Sequence, residues 1–137
     1  MAAPAVIVHS RDHARAALTA ARDLGVAVVL ASPPGFAAYG GAGLFARMIA
    51  TAREGLEDVA HDAVLDCGDG AGHAQAALRE GVTSIAVRLP KERRGRLAEI
   101  AATYGAEIRG PVRGALDLLG EADPAAACRA WLVRGRR

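Results

Sequence analysis

One pattern is repeated four times along this chain: a short apolar segment rich in β-branched residues, then a longer segment with apolar side chains every three or four positions. The short segments predict buried strands, and the longer ones predict helices that bury one face. The strands are predicted at 5–8, 26–30, 62–66 and 84–89, and the helices at 12–24, 44–57, 73–80 and 92–104. Because such units place each strand beside the previous one through a right-handed crossover, we predict an α/β fold with a parallel sheet.

This rhythm changes after Gly105. A weak fifth strand is predicted at 106–108, followed by a short apolar turn or helix at 115–119. Asp123 and Pro124 are suited to the N-cap and the first position of a last helix. A length of 137 residues is typical of one domain. We therefore expect a βα repeat unit over residues 1–110 and a helical extension of the same domain over residues 111–137.

Composition excludes several classes of protein. A hydrophobic content of 52% with a net charge of +2 argues against disorder, and two cysteines form no disulfide framework. The few aromatic residues and the small net charge argue against a nucleic-acid partner. Neither a signal peptide nor a membrane span is recognised, so we expect a cytoplasmic protein without a membrane partner. A complete (β/α)8 barrel needs roughly 250 residues and is excluded as well.

Three motifs follow or precede the predicted strands in a fixed order. Residues 32–41 read SPPGFAAYGG, residues 64–68 read VLDCG, and residues 77–85 read ALREGVTSI. Together they resemble the S-x-G-x-x-x-Y-x-G-G, H-L-D-H-G and A-I-x-x-G-F-T-S-V motifs of the class II, zinc-dependent ketose-bisphosphate aldolases. This resemblance covers residues 29–105 and implies a TIM-barrel-like half barrel of four or five parallel strands in sequential order, with the helices on one face. The alternative is a doubly wound, flavodoxin-like order 2-1-3-4-5.

The same motifs depart from the family where its chemistry lies. The aldolase resemblance implies that Asp66 is the catalytic acid/base, whereas Cys67 stands where the family has a zinc-binding histidine. Cysteine binds zinc as a thiolate, but a catalytic zinc needs three protein ligands, and Cys67 is the one candidate that the motif retains. The fourth strand continues into Arg88 where the family has an acidic residue. We therefore expect no cofactor and no aldolase reaction.

Several residues at the predicted carboxyl ends of the strands are candidates for ligand binding. Glycine-rich turns expose N–H groups that can hold an anion or a phosphorylated metabolite, and an arginine beside them favours such a ligand. The candidates are Ser32, Gly35, Gly40, Gly41, Gly68, Gly70 and Arg88. The alternative for the glycines is an ordinary tight turn.

Asp66 and the first two histidines also allow two interpretations each. Asp66 either transfers a proton or accepts hydrogen bonds from the turn N–H groups of residues 68–70, and we expect a neighbouring Arg88 to keep it ionised. His9 and His13 either form a metal-binding pair or are edge residues beside a helix capped by Asp12.

Two functions from different classes follow. The first is a non-catalytic, aldolase-derived half barrel that acts as a small-ligand-binding or assembly module; the alternative is an aldolase-type lyase whose site is completed across a dimer.

A half barrel leaves one sheet face uncovered, and a soluble monomer does not tolerate a large apolar face. Either the C-terminal segment with Trp131 or a second copy of the chain must cover it. We expect a homodimer in which the last helix contributes to the cover. The face in question carries either one set of strand residues, Val6, Val8, Val28 and Leu30, or their alternate neighbours.

Overall fold

The computed structural model describes residues 3–135, which form six parallel strands and six helices. The strands are β1 (Ala5–Ile7), β2 (Val28–Ala31), β3 (His61–Asp66), β4 (Ser84–Ala86), β5 (Glu107–Arg109) and β6 (Leu116–Asp117). The helices are α1 (Arg11–Leu24), α2 (Phe36–Tyr39), α3 (Ala42–Ala52), α4 (Ala71–Arg79), α5 (Lys91–Thr103) and α6 (Pro124–Gly135). None of the helices in this part of the chain is long and apolar enough to cross a membrane.

The strands form one sheet in the order β5-β4-β3-β2-β1-β6. The predicted sequential order of the first five strands is therefore confirmed, and the flavodoxin-like order is excluded because β1 does not lie between β2 and β3. Right-handed crossovers between successive neighbours keep the connecting helices on the same side of a sheet. Alternate strand residues such as Val6, Leu30 and Ile85 join the helices in one core cluster on that side.

The opposite side of the sheet is called here the helix-free face. It carries the strand residues that alternate with the core set, among them Ile7, Val29, Ala31, Val64 and Ala86. The last three of these side chains are at most 2% exposed, so one chain already buries the middle of this face.

The sixth strand was not expected from the sequence. The prediction of a turn or helix at 115–119 is wrong, because Leu116 and Asp117 pair in parallel with β1. The edge of β1 is otherwise free, and Leu118 alternates with Asp117 so that its side chain enters the core with no exposed surface. A sheet of six strands thus replaces the expected four or five.

The sequence analysis predicted that the C-terminal helix contributes to the cover of the helix-free face. Most of α6 does not do so, because it packs along α1 and buries Cys128 and Leu132 in the core on the helix side. Trp131 differs: its indole N–H donates to the carbonyl of Ala5 over 3.0 Å, and the residue lines a cavity on the helix-free face. The last helix therefore belongs to the helix layer, and Trp131 links it to the helix-free face.

The connection between β5 and β6 constrains the shape of the sheet. Residues 110–115 join strands that lie at opposite edges of the sheet. In a flat sheet, five strand spacings of about 4.8 Å would use up nearly all of the roughly 20–25 Å that such a link can span. Arg109 on β5 also lines the same cavity as Val29 on β2, although two strands lie between them. The sheet therefore curves towards its helix-free face, and the link runs across that face.

The alternation in β6 yields a first prediction. Leu118→Ala should lower the free energy of unfolding by about 2–5 kcal/mol because it opens a core cavity, whereas Leu119→Ala should change it by about 0.5 kcal/mol or less. Leu119 is the matched control, since it is 68% exposed. Urea denaturation measures both changes, and equal losses in the two variants would contradict the strand assignment.

Candidate functional site

Polar side chains gather at the carboxyl-end edge of the sheet, where ligands bind in open parallel α/β folds. His9 and Ser10 follow β1, Ser32 follows β2, Asp66 ends β3, and Arg88 follows β4. Because neighbouring strands end at the same edge, the predicted candidates from three separate loops come close together.

Asp66 links the loops after β2 and β3. Its Oδ1 accepts hydrogen bonds from the N–H groups of Gly35 at 3.0 Å and Gly68 at 2.9 Å. In return, the Ser32 hydroxyl accepts the N–H of Asp66 at 2.9 Å and donates to the carbonyl of Pro33 at 3.1 Å. The structure thus joins Ser32, Gly35, Asp66 and Gly68 in one hydrogen-bonded unit, in which one carboxylate oxygen of Asp66 holds two turns.

The remaining glycine candidates do not offer free N–H groups. The N–H of Gly70 donates to the carbonyl of Cys67 at 3.0 Å, and those of Gly40 and Gly41 both donate to the carbonyl of Phe36. The Glu80 carboxylate also lies near this turn, since a Cβ atom at Gly43 would be 3.7 Å from it. Its negative charge would repel an anion. Backbone donors for a ligand therefore have to come from elsewhere at this edge.

Arg88 lies beside the turn that leads into α4. Its N–H donates to the carbonyl of Gly68 over 2.7 Å, and its side chain is exposed. No ion pair among residues 3–135 includes Arg88, so the expected pairing with Asp66 is not found. The N-cap of α4, Gly70, provides no side-chain cap, which leaves the first N–H groups of this helix available. The backbone of Arg88 and the uncapped first turn of α4 therefore adjoin the same turn, residues 68–70.

Cys67 does not have the surroundings of a metal ligand. Its side chain is 4% exposed and belongs to the helix-side core. Burial, followed by the neighbouring charge of Asp66, raises the pKa of the Cys67 thiol to about 12, so the thiolate that zinc requires is disfavoured. Among residues 3–135, no three His, Cys, Asp or Glu side chains are placed to hold a metal ion. The residues present do not fit the zinc of the aldolase family.

A histidine–aspartate pair at the same edge was missed by the sequence analysis. The Nε2 atom of His9 lies 2.6 Å from Oδ1 of Asp117, which also accepts the N–H of Leu119 at 2.9 Å. Strand β6 creates this pair by placing Asp117 beside the end of β1. The alternation of Leu116, Asp117 and Leu118 is the one sequence signal that could have indicated a strand here.

His13 supports this pair from the first turn of α1. Its Nδ1 accepts the N–H of His9 at 3.1 Å, so the neutral ring carries its proton on Nε2. The two imidazole rings meet edge to face, with their centres 5.8 Å apart. The cap of α1 is Ser10, whose hydroxyl accepts the N–H of His13 at 3.1 Å, and not Asp12 as we expected.

The electrostatics of this cluster favour neutral His13 and ionised Asp117. Burial, and then the neighbouring His9, lowers the pKa of His13. Burial alone would raise the pKa of Asp117, but the hydrogen bonds from Leu119 and His9 outweigh it and hold that pKa below its ordinary value. The folded state lowers the pKa of both His13 and Asp117. The stability that each group contributes is therefore present at neutral pH and is lost on acidification.

These directions yield a second prediction. The free energy of unfolding should fall as the pH drops through the ordinary histidine range, from about 7 to about 5, because the folded chain resists protonation of His13. His13→Asn keeps an acceptor for the His9 N–H and should make this fall shallower. The control is Gln75→Asn, an exposed substitution that changes no titratable group and should leave the slope unchanged. Chemical denaturation at a series of pH values measures the slopes, and an identical fall in both variants would contradict the assignment.

No protein-family model and no curated protein matches this chain. A function has to be inferred from the residues at the edge of the sheet and from their hydrogen bonds.

Proposed function

We propose that this protein is a binding module that holds a small anion, such as a phosphorylated metabolite, at the carboxyl-end edge of its sheet. One observation carries the proposal: the backbone N–H of Arg88 donates to the carbonyl of Gly68, which places Arg88 beside the uncapped first turn of α4. The side chain of Arg88 has no acidic partner among the described residues.

A phosphate or carboxylate suits these surroundings. Its oxygens would accept hydrogen bonds from the guanidinium and from the first N–H groups of α4. The dipole of that nine-residue helix, Ala71–Arg79, also favours negative charge at this end. The ligand would thus gain charge-assisted hydrogen bonds from two adjoining elements.

The hydrogen bonds of Asp66 support binding over catalysis. A carboxylate whose Oδ1 holds the N–H groups of Gly35 and Gly68 fixes the shape of the two loops beside the ligand. Protonation of Asp66 would weaken both hydrogen bonds, because a neutral carboxyl group is a poorer acceptor than a carboxylate. We therefore assign Asp66 the role of an anchor for the site.

We also propose descent from the half barrel of a class II aldolase. The sequential strand order, the curvature of the sheet and the position of the motif residues at the carboxyl ends of β2 and β3 support this origin. The expected homodimer stays a prediction; its apolar contact would include Ile7, which is half-buried on the helix-free face.

A third prediction tests the binding site. Inorganic phosphate and a panel of sugar phosphates should raise the melting temperature of the protein, since a ligand at 100 times its Kd adds about 2.7 kcal/mol of stability. Arg88→Gln should make this shift smaller. Arg47→Gln is the control, because Arg47 is an exposed arginine of α3 away from the edge. A shift of the same size in Arg88→Gln and in the unmodified protein would contradict the assignment.

Asp66→Asn separates anchoring from catalysis in the same screen. The amide oxygen preserves the acceptor but loses the charge, so we expect a loss of about 1–2 kcal/mol in the free energy of unfolding. Binding of the ligand found in the screen should persist. Unchanged stability with binding abolished would show that Asp66 contacts the ligand.

A second candidate function is a lyase of the class II aldolase type, with a site completed across a dimer. The His9–Asp117 pair favours it, because a histidine hydrogen-bonded to a carboxylate is a suitable general base. The test is cleavage of a ketose bisphosphate, with and without added zinc. His9→Gln should abolish any turnover and His61→Gln should retain it; no turnover in the unmodified protein excludes this candidate.

A further inference from the structure

A cavity of about 220 Å³ lies on the helix-free face, below the link between β5 and β6. Ala5 and Val29 come from the first two strands, while Arg109 and Arg113 come from the end of β5 and from the link. Residues from strands that are not neighbours in the sheet thus enclose one space, together with residues of the link. The site proposed at Arg88 does not include any of these lining residues.

The charges around this cavity all have the same sign. Arg109 and Arg113 are the charged residues of its lining, and no acidic residue contributes to it. Within residues 3–135, neither guanidinium takes part in an ion pair. The Nε of Arg109 donates to the carbonyl of Gly110 at 3.3 Å, so its terminal N–H groups remain for another acceptor. Arg109 is half-buried and Arg113 is exposed, so both can meet a ligand that enters from solvent. A ligand with two negative charges would be attracted to both side chains.

The uncharged part of the lining limits the size of the ligand. Val29, Val112 and the ring of Trp131 provide apolar walls, and Gly114 leaves room beside them. The indole N–H of Trp131 already bonds to the carbonyl of Ala5, so the ring contributes a surface and no free donor. The volume is below the roughly 300–1,000 Å³ of pockets for drug-sized ligands. It suits a compact molecule.

We infer that this cavity is a binding site for a small dianion, held between the guanidinium groups of Arg109 and Arg113. Inorganic phosphate, a small phosphate ester and a short dicarboxylate share the required chemistry. Arginine suits each of them because its planar fork pairs with two oxygens at once.

Trp131 makes the site observable on the intact protein, since it is the one tryptophan of the chain and lines the cavity. Its fluorescence is titrated with phosphate, with succinate and with acetate, at constant ionic strength adjusted with chloride. Both dianions, or one of them, should give a saturable change, and acetate should bind at least tenfold more weakly. The dianion with the lower Kd identifies whether phosphate or dicarboxylate chemistry is preferred.

Arg109→Gln and Arg113→Gln should each raise the Kd for the dianion at least tenfold. Arg129→Gln, an exposed arginine of α6 outside the cavity lining, should leave the Kd unchanged. Arg88→Gln should also leave it unchanged, so failure of the edge site and failure of this site are distinguishable. No fluorescence change with either dianion, or equal affinity for acetate, would overturn the inference.

A second measurement needs no variant. Phenylglyoxal modifies accessible arginines, and mass spectrometry locates the modified residues. The dianion that changes the Trp131 fluorescence should slow the modification of Arg109 and Arg113 without slowing that of Arg129. Modification of all three at unchanged rates in the presence of the dianion would overturn the assignment of these two guanidinium groups.

Discussion

The short link between β5 and β6 is the constraint on which most of this structure depends. Residues 110–115 connect opposite edges of the sheet, which is possible because the sheet curves. The same link lies over the helix-free face and closes the cavity that contains Arg109 and Arg113. It also delivers β6 to the free edge of β1, where Asp117 meets His9. Two candidate sites therefore arise from one connection.

The two faces of the sheet differ in chemistry as well as in cover. Parallel sheets ordinarily have helices on both faces, so their strands are apolar throughout. Here the core side is apolar, whereas the helix-free face includes Asp62, Ser84 and Arg109, which alternate with core residues along the strands. Ser84 is 1% exposed and its hydroxyl donates to the Glu107 carboxylate at 3.3 Å. This polar alternation is typical of a sheet face that no helix covers.

Local sequence patterns were sufficient for the elements whose causes are local. The strands β1 to β4 and helix α1 were predicted within a few residues. Gly25 ends α1 with a φ of 66°, in the left-handed region that glycine adopts readily. Strand β6 was missed because it is defined by its pairing with β1, and the alternation of Leu116, Asp117 and Leu118 is too short to indicate a strand by itself. The contact between His9 and Asp117 spans 108 positions of sequence, so no motif could indicate it.

The glycine-rich turns show why composition alone overstates an anion site. Their sequence suggests free N–H groups, but Gly35 and Gly68 donate to Asp66, and Gly70 donates to a backbone carbonyl. A buried or half-buried N–H group nearly always has a hydrogen-bond acceptor within the fold. A glycine-rich turn therefore binds a ligand only where one of its N–H groups has no such acceptor. Arginine differs, because its five N–H groups exceed what one carbonyl or carboxylate can accept. At the anion sites proposed above, recognition is therefore assigned mainly to arginine side chains that have no acidic partner among the described residues.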